Sequence, residues 1–297
     1  MRICAMSDLH IKDDFRKAYV PRISEDTDLL IAAGDIASNE SSFKRFSEEV
    51  DRVYHGAKVF VFGNHDFEDG GYSPEKAKRL AKLTEDWGWM CLDRGFAIID
   101  DVGFVGNMGW YDFSFRNKEG PIKNKGCKSG ILRDSVFDEY LVGKDINLFR
   151  ENLVERWEDV DLNSYRRRKM FCLDGRVPTL IEYVSGIKID QADEEFCKDQ
   201  NKKLEDDLRG VGSCRKVVAV SHLLPFKLYS RLAAREGFLN SFAGSDERGE
   251  IVLDRADVVI HGHTHRQCRS VKQRDGNDVR VYGVSCFNYE NAVVVDV

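Results

Sequence analysis

The sequence predicts an α/β fold with α+β character, in which buried strands alternate with helices at first and follow one another directly at the end. Short apolar runs such as RICAMS at 2–7 and DLLIAAG at 28–34 recur in the first third of the chain. Near-continuous apolar strands are typical of a sheet that is covered on both faces. The runs between 257 and 285 have no helix-like segment between them, which predicts a β-meander after the α/β part.

The individual strands are predicted at apolar runs that polar residues or glycine follow. The first third contributes RICAMS (2–7), DLLIAAG (28–34), KVFVFG (58–63), GFAIID (95–100) and VGFVGN (102–107). The last third contributes KVVAVSH (216–222), DVVIHGH (257–263), DVRVYGVS (278–285) and NAVVVDV (291–297). A helix is predicted at 73–87, because Ser73 suits the N-cap and Pro74 suits the first helical position.

The middle of the chain, residues 107–215, is charge-rich and mostly helical in pattern. An apolar stripe with helical spacing starts at Ile146 and ends at Trp157, and a second helix is predicted to end at Gly210. We therefore expect one domain over 1–297 that carries a helical insertion or cap at about 107–215.

The composition limits the classes of partner. The 297 residues include 45 Lys+Arg and 51 Asp+Glu, and the net charge of −6 argues against an extensive nucleic-acid-binding surface. No apolar stretch approaches the roughly 20 residues that span a bilayer, so no membrane partner is expected. The eight cysteines form no CxxC pair and the chain opens without a signal-peptide pattern, so we expect reduced thiols and a cytoplasmic location. The composition predicts no oligomeric state.

Polar side chains follow five of the apolar runs, where open α/β sheets bind ligands. They are Asp8 and His10, then Asp35, then Asn64, His65 and Asp66, then His222, and last His261, His263 and His265. Six of the seven histidines belong to this set, which indicates a common site for them.

The residue types in this set indicate metal ions. In an extended segment residues i and i+2 share a face, so Asp8 and His10 are expected to point the same way, as are His263 and His265. Imidazole, carboxylate and amide ligands together suit borderline metals such as Mn, Fe, Zn or Co. The set exceeds what one ion with open positions can use, whereas two ions about 4 Å apart that share a carboxylate would use all of it.

The five blocks resemble the calcineurin-like metallophosphoesterase superfamily, whose pattern is DxH, GD, GNH[DE], H and GHxH in the same order. Here the blocks span residues 8–265. The resemblance implies a four-layer αββα sandwich of two mixed β-sheets flanked by helices. It also implies a hydrolase that uses two divalent or trivalent metal ions, and that cleaves phosphate mono- or diesters by in-line attack of a metal-bridging hydroxide.

The resemblance also implies a role for each matching residue. One metal ion is expected on Asp8, His10 and His265. The other is expected on Asn64, His222 and His263, with Asp35 bridging the two ions. His65 is expected to donate to a phosphate oxygen or to protonate the leaving group, and Asp66 to orient His65 or a ligand. No role falls on His261, which we expect to be buried and either to support a metal ligand or to serve in packing only.

Several alternatives stay open at the level of substrate. GDIASN and GNHD depart from the GDxxDRG and GNHE pattern of the Ser/Thr protein phosphatases. The expected substrate is a small-molecule or nucleotide phosphoester. A nuclease or cyclic-nucleotide phosphodiesterase of the same superfamily remains an alternative, as does a non-catalytic metal-binding scaffold for protein interaction.

The stretch GNMGWYDFSFR at 106–116 is the candidate substrate-binding surface. Its aromatic rings could stack a base and its arginine could grip a phosphate. The residues concerned are Trp110, Tyr111, Asp112 and Arg116. The alternative is that the aromatic residues only pack the insertion onto the sheet.

Overall fold

The computed structural model describes residues 1–12, 20–116, 119–124, 127–160, 167–173, 179–185, 187, 189, 191–227, 240–287 and 291–297. The chain forms two compact units. The first comprises Met1–Tyr111, Ile187–Phe226 and Ala243–Val297, and the second comprises Asp112–Gly186 and Lys227–Phe242. Among the described residues, no helix combines the length and the apolar character that crossing a membrane requires.

The first unit contains a five-stranded sheet built from both ends of the chain. Its strands are β1 (Arg2–Met6), β2 (Leu29–Ala33), β3 (Ala57–Val61), β4 (Met90–Cys91) and β16 (Val293–Asp296), in the order β16-β1-β2-β3-β4. β1 to β4 run parallel, and β16 pairs antiparallel with β1. Every residue of β2 is buried, as its uninterrupted apolar sequence predicts.

A six-stranded sheet forms the other half of the first unit. Its strands are β5 (Ala97–Ile99), β6 (Val102–Asn107), β12 (Lys216–Ser221), β13 (Val258–His261), β14 (Gln267–Arg274) and β15 (Asn277–Val284), in the order β14-β15-β13-β12-β6-β5. The expected β-meander is wrong in one connection, because β13 pairs in parallel with β15 rather than with β14. β14 and β15 form a hairpin whose turn, Asp275-Gly276, has positive φ at both residues.

The helices of the first unit cover the outer faces of its two sheets. The described helices are α1 (Glu40–Asp51), α2 (Pro74–Asp86), α3 (Asp134–Gly143), α4 (Ile146–Asn152), α5 (Asp193–Gly210) and α6 (Asp246–Arg255). Of these, α3 and α4 belong to the second unit. α2 has the expected N-cap, since the Ser73 side chain accepts a hydrogen bond from the backbone N–H of Lys76. α1 packs Phe43 against Phe60 of β3, whereas α5 and α6 pack on the six-stranded sheet.

The two sheets share one apolar core. Valine, isoleucine and leucine side chains from both sheets form a single buried cluster, for example Ile31 of β2, Val59 of β3, Val220 of β12 and Ile260 of β13. With helices outside each sheet, the first unit is a four-layer αββα sandwich, and the expected fold class is confirmed.

The second unit differs from the expected helical insertion at 107–215 in both bounds and content. It contains strands as well as α3 and α4, namely β7 (Lys123–Asn124), β8 (Cys127–Leu132), β9 (Leu153–Val154), β10 (Arg167–Cys172) and β11 (Thr179–Ser185). The stripe from Ile146 to Trp157 is not one helix, because α4 ends at Asn152 and β9 pairs with β8. α5 does end at Gly210, but it belongs to the first unit.

Candidate metal centre

The predicted metal ligands lie at the carboxyl ends of strands from both sheets. Asp8 follows β1, Asp35 follows β2 and Asn64 follows β3, whereas His222 follows β12 and His263 follows β13. Parallel strands present these ends at one edge of each sheet, which is why residues distant in sequence meet there. All of them belong to the first unit.

Most of these residues have an unusual backbone conformation. Positive φ angles occur at Asp8 (56°), His10 (47°), Asp35 (54°), His263 (68°) and His265 (53°). These segments are therefore not extended as expected, although the ligand atoms of Asp8 and His10 still belong to one cluster. Left-handed backbone at residues other than glycine costs about 1–3 kcal/mol each and tends to cluster at functional sites.

A glycine at residue 262 lets the two sheets approach at this edge. A Cβ atom on Gly262 would lie 2.7 Å from the Ser7 Oγ and 2.8 Å from the Ala33 carbonyl oxygen. Both distances are too short for a side chain, so the backbone of the GHTH loop passes directly against β1 and β2. The next residue, His263, donates its backbone N–H to both carboxylate oxygens of Asp8, at 3.0 and 3.1 Å.

The first cluster of ligand atoms comprises Asp8, His10 and His265. Their nearest nitrogen and oxygen atoms all lie within 4.8 Å of one another. The Nε2 atoms of His10 and His265 are 3.1 Å apart, and the His265 Nε2 lies 3.6 Å from an Asp8 oxygen. Two imidazole nitrogens this close share either a proton or a cation, so the pair is compatible with a metal ion as well as with a hydrogen bond.

The second cluster comprises Asp35, His222 and His263, again with ligand atoms within 4.8 Å of one another. The Asp35 Oδ2 lies 2.9 Å from the His222 Nε2 and 3.9 Å from the His10 Nε2. A single carboxylate oxygen thus stands between a histidine of each cluster. This is the position that a bridging ligand needs.

Three buried atoms at this point make no well-aligned hydrogen bond, although two of them lie 2.9 Å apart as an ion pair. They are the Asp35 Oδ2, the Asn64 Oδ1 and the His222 Nε2. An unsatisfied buried polar group costs about 1–3 kcal/mol, and more when it is charged. All three atoms can donate a lone pair to a cation, so the residues present fit metal ions.

Charge interactions perturb the acid–base properties of the cluster. Burial alone would raise the pKa of Asp35, but the neighbouring imidazoles, His222 above all, outweigh it and lower that pKa. Burial alone would lower the pKa of His222, but Asp35 raises it to about 9. Burial lowers the pKa of His10 to about 4, which keeps its ring neutral and available as a ligand.

Asp66 lies beside the cluster but does not contact His65 through its carboxylate. Its Oδ1 accepts the N–H groups of Ile36 and Ala37, at 2.9 and 3.0 Å. Its Oδ2 accepts the N–H groups of Gly63 and Asp35, at 2.7 and 3.1 Å. Of the two expected roles, the geometry favours the second, because these bonds hold the loop that carries the Asp35 ligand.

His65 lies at the rim of the site with 31% of its side chain exposed. Its ring centroid is 4.7 Å from that of His10, and its backbone N–H donates to the Asp35 Oδ1 at 2.7 Å. Its Nδ1 contacts the Glu68 carboxylate. The sequence interpretation missed Glu68. It follows His65 by three residues and directly follows the 3-10 helix Asn64–Phe67, and side chains three residues apart in a helical turn are neighbours.

Comparison with known proteins identifies the first part of the chain. Residues 1–138 match the sequence profile of the family described as calcineurin-like phosphoesterase. Residues 1–138 belong to the calcineurin-like phosphoesterase family. With the Asp and His clusters described above, this confirms the expected family and the expected hydrolase of phosphoric esters that depends on metal ions.

One solved structure extends the likeness of fold. The phosphopantetheinyl hydrolase PptH from Mycobacterium tuberculosis has a TM-score of 0.56 at 16% sequence identity, over 95% of this chain and 88% of that chain. At this identity the likeness concerns the fold alone. No curated protein matches the phosphoesterase by sequence.

Phe287 is a residue of the phosphoesterase site that the sequence did not indicate. Its ring stacks on the His265 ring with 4.2 Å between centroids and 15° between planes. It is 36% exposed, so it forms an apolar wall beside the first cluster. A lone phenylalanine after a strand carries no sequence signal for such a role.

The predicted substrate surface is divided between the two units. Trp110 and Tyr111 belong to the first unit and are buried, at 2% and 5% exposure. The Trp110 Nε1 donates to the Asp193 Oδ1 at 2.9 Å, and its ring stacks on Tyr111. Asp112 and Arg116 belong to the second unit, where Asp112 accepts the N–H of Ser114 and Arg116 is exposed. Their role in substrate binding stays a prediction.

His261 is buried completely, at the end of β13. Its Nδ1 lies 3.0 Å from the Gly262 carbonyl oxygen, and its Nε2 lies 3.9 Å from the Cys268 sulfur. Burial lowers its pKa to about 4, so the ring is neutral. Among the described residues, His261 belongs to none of the groups of side chains whose ligand atoms lie close enough to share a metal ion.

Proposed function

We propose that this phosphoesterase hydrolyses a small-molecule or nucleotide phosphate ester at two metal ions that share Asp35. The observation that carries the proposal is the position of the buried Asp35 Oδ2, which lies 2.9 Å from the His222 Nε2 and 3.9 Å from the His10 Nε2. One ion would be held by Asp8, His10 and His265. The other would be held by Asn64, His222 and His263.

The donor set favours ions such as Mn, Fe, Zn or Co, because it combines imidazoles with carboxylate and amide oxygens. Two such ions lower the pKa of a water molecule between them and neutralise the phosphoryl oxygens during in-line attack. The protein supplies the fixed distances between ligands, and the strained loops at Asp8, Asp35 and His263 are the part of the backbone that sets them.

His65 is proposed to bind a phosphate oxygen or to protonate the leaving oxygen. Its partly exposed position beside His10 leaves it accessible to a substrate. Because Glu68 engages Nδ1, Nε2 is the ring nitrogen that remains to donate a proton. Glu68, rather than Asp66, would orient this ring.

The main alternative is a metal-binding scaffold that performs no reaction. A scaffold has no need for a partly exposed histidine oriented by a carboxylate, so the His65–Glu68 pair supports hydrolysis. A nuclease or cyclic-nucleotide phosphodiesterase would use the same centre, and these differ from the main proposal only in substrate.

The test is turnover of p-nitrophenyl phosphate and bis-p-nitrophenyl phosphate by the Mn²⁺-loaded protein. Wild type should hydrolyse at least one of them, and His65→Ala should lower kcat by about 100-fold or more. His55→Ala is the matched control, since His55 is exposed and lies outside both clusters. The ratio of the two rates assigns monoester or diester preference. Absence of turnover on both, or equal rates for His65→Ala and wild type, would contradict the proposed roles.

A cytoplasmic location remains part of the proposal. Among the described residues, Cys4, Cys91, Cys214 and Cys268 are free thiols, and the first two are buried. Free thiols persist in reducing compartments, where disulfides are rare.

A further inference from the structure

Asp93 connects the two sheets of the phosphoesterase at the edge where the metal clusters lie. It belongs to the 3-10 helix Leu92–Arg94, which follows β4. Its Oδ2 accepts the N–H of Phe62 at 2.8 Å, and its Oδ1 accepts the N–H of Met108 at 2.9 Å. Phe62 directly follows β3 of the five-stranded sheet, whereas Met108 directly follows β6 of the six-stranded sheet.

Each hydrogen bond leads by a short path to a proposed metal ligand. Phe62 precedes Asn64 by two residues along the chain. On the other side, the Met108 carbonyl oxygen accepts the N–H groups of His222 at 3.2 Å and Leu223 at 3.0 Å. Asn64 and His222 come from different sheets and are proposed to hold the same ion, so one carboxylate fixes the separation between their loops.

We propose that Asp93 is a positioning residue for the second metal ion, the one assigned to Asn64, His222 and His263. This inference rests on the proposed function, since it presupposes two ion sites. The hydrogen bonds of Asp93 do not reach the loops of Asp8, His10 and His265. The first ion should therefore be insensitive to Asp93.

The physical reason is the precision that a metal site requires. Ligand atoms must be held within about 0.5 Å of their productive positions. Loss of the outer hydrogen bonds that hold ligands typically weakens metal binding by about 10- to 100-fold. In Asp93→Asn an amide NH₂ group replaces one carboxylate oxygen. Because this group is a donor, it cannot accept the N–H of Phe62 or of Met108, and the loop that loses its hydrogen bond is released.

The experiment is a calorimetric Mn²⁺ titration of the EDTA-treated full chain, with electron paramagnetic resonance to distinguish single ions from coupled pairs. Wild type should bind two ions and give the signal of a coupled pair. Asp93→Asn should bind the first ion with wild-type affinity and the second about 10- to 100-fold more weakly. At equal metal concentration its spectrum should shift toward single ions.

Asp257→Asn is the matched control. The Asp257 Oδ2 also accepts a backbone N–H, that of Val217 at 2.9 Å, but at the opposite end of β12. This variant should bind both ions as wild type does. Asp93→Glu is the second variant, since it keeps the negative charge but displaces the carboxylate, and it should also weaken the second ion selectively.

The outcomes separate this inference from the proposed function. A wild-type chain that binds fewer than two ions would contradict the proposed function, and the role of Asp93 with it. Two ions bound by wild type, with unchanged or equally weakened affinities in Asp93→Asn, would overturn only the role of Asp93. If neither Asp93 variant folds while Asp257→Asn does, Asp93 determines the fold rather than the second ion, and the inference is also overturned.

Discussion

Replacing Asp66 by asparagine tests whether this carboxylate holds the loop of the Asp35 ligand. Its two oxygens accept four buried backbone N–H groups, from Gly63, Asp35, Ile36 and Ala37. An asparagine keeps one oxygen and turns the other into a donor, so two N–H groups lose their acceptor whichever way the amide lies. Each unsatisfied buried donor costs about 1–3 kcal/mol, so the variant should lose about 2–6 kcal/mol of unfolding free energy.

The assay is urea unfolding of EDTA-treated protein, which removes metal binding from the comparison. Glu68→Gln is the matched control, because it also converts one carboxylate near His65 to an amide, but at a side chain that is 40% exposed rather than buried. It should change the unfolding free energy by no more than about 0.5 kcal/mol while it lowers kcat about 10- to 100-fold, by analogy with carboxylates that orient metal-site histidines. A loss below about 1 kcal/mol in Asp66→Asn, or equal losses in the two variants, would refute the reasoning.

Two further variants test the surroundings of the ions. His261→Leu should retain both Mn²⁺ ions, because the buried neutral ring makes polar contacts but is not a proposed ligand. Its unfolding free energy in urea should fall by about 1 kcal/mol. Loss of either ion in a Mn²⁺ titration would show that His261 is a ligand. Phe287→Ala should weaken the first ion about 2- to 10-fold, since stacking such as that on His265 contributes about 0.5–1.5 kcal/mol. An unchanged affinity for the first ion would show that the stacking does not orient His265.

The strands of the sandwich could be predicted because both of their faces are covered. LLIAA in β2 and VGFVGN in β6 are buried at every position, so their apolar runs leave one interpretation. The second unit offers no such signal. β8 (CKSGIL) and β10 (RRKMFC) begin with cysteine or charged residues and have no continuous apolar run. The helical spacing at Ile146 also fits a short helix followed by β9.

The order of the five motifs also predicted which histidines and aspartates lie together at this edge of the sheets, and their ligand atoms do lie within 4.8 Å of one another in groups. The hydrogen bonds around them could not be predicted. By sequence, Asp66 and Glu68 are equally good partners for His65. In the structure the 3-10 helix directs the Asp66 carboxylate toward backbone N–H groups such as that of Gly63, and the Glu68 carboxylate toward the His65 ring. Asp93 bonds to Met108, and Phe287 stacks on His265, only because the fold brings separate segments of the chain together. A local sequence pattern does not indicate such contacts.

The contact between Asp8 and the backbone of His263 spans 255 residues of chain. During synthesis the N-terminal ligands therefore leave the ribosome long before the GHTH loop exists. Closing so large a loop is slow and has to await the six-stranded sheet. A nascent or truncated chain that ends before residue 263 lacks part of both clusters, so neither proposed ion can meet its full set of ligands until the GHTH loop has been synthesised.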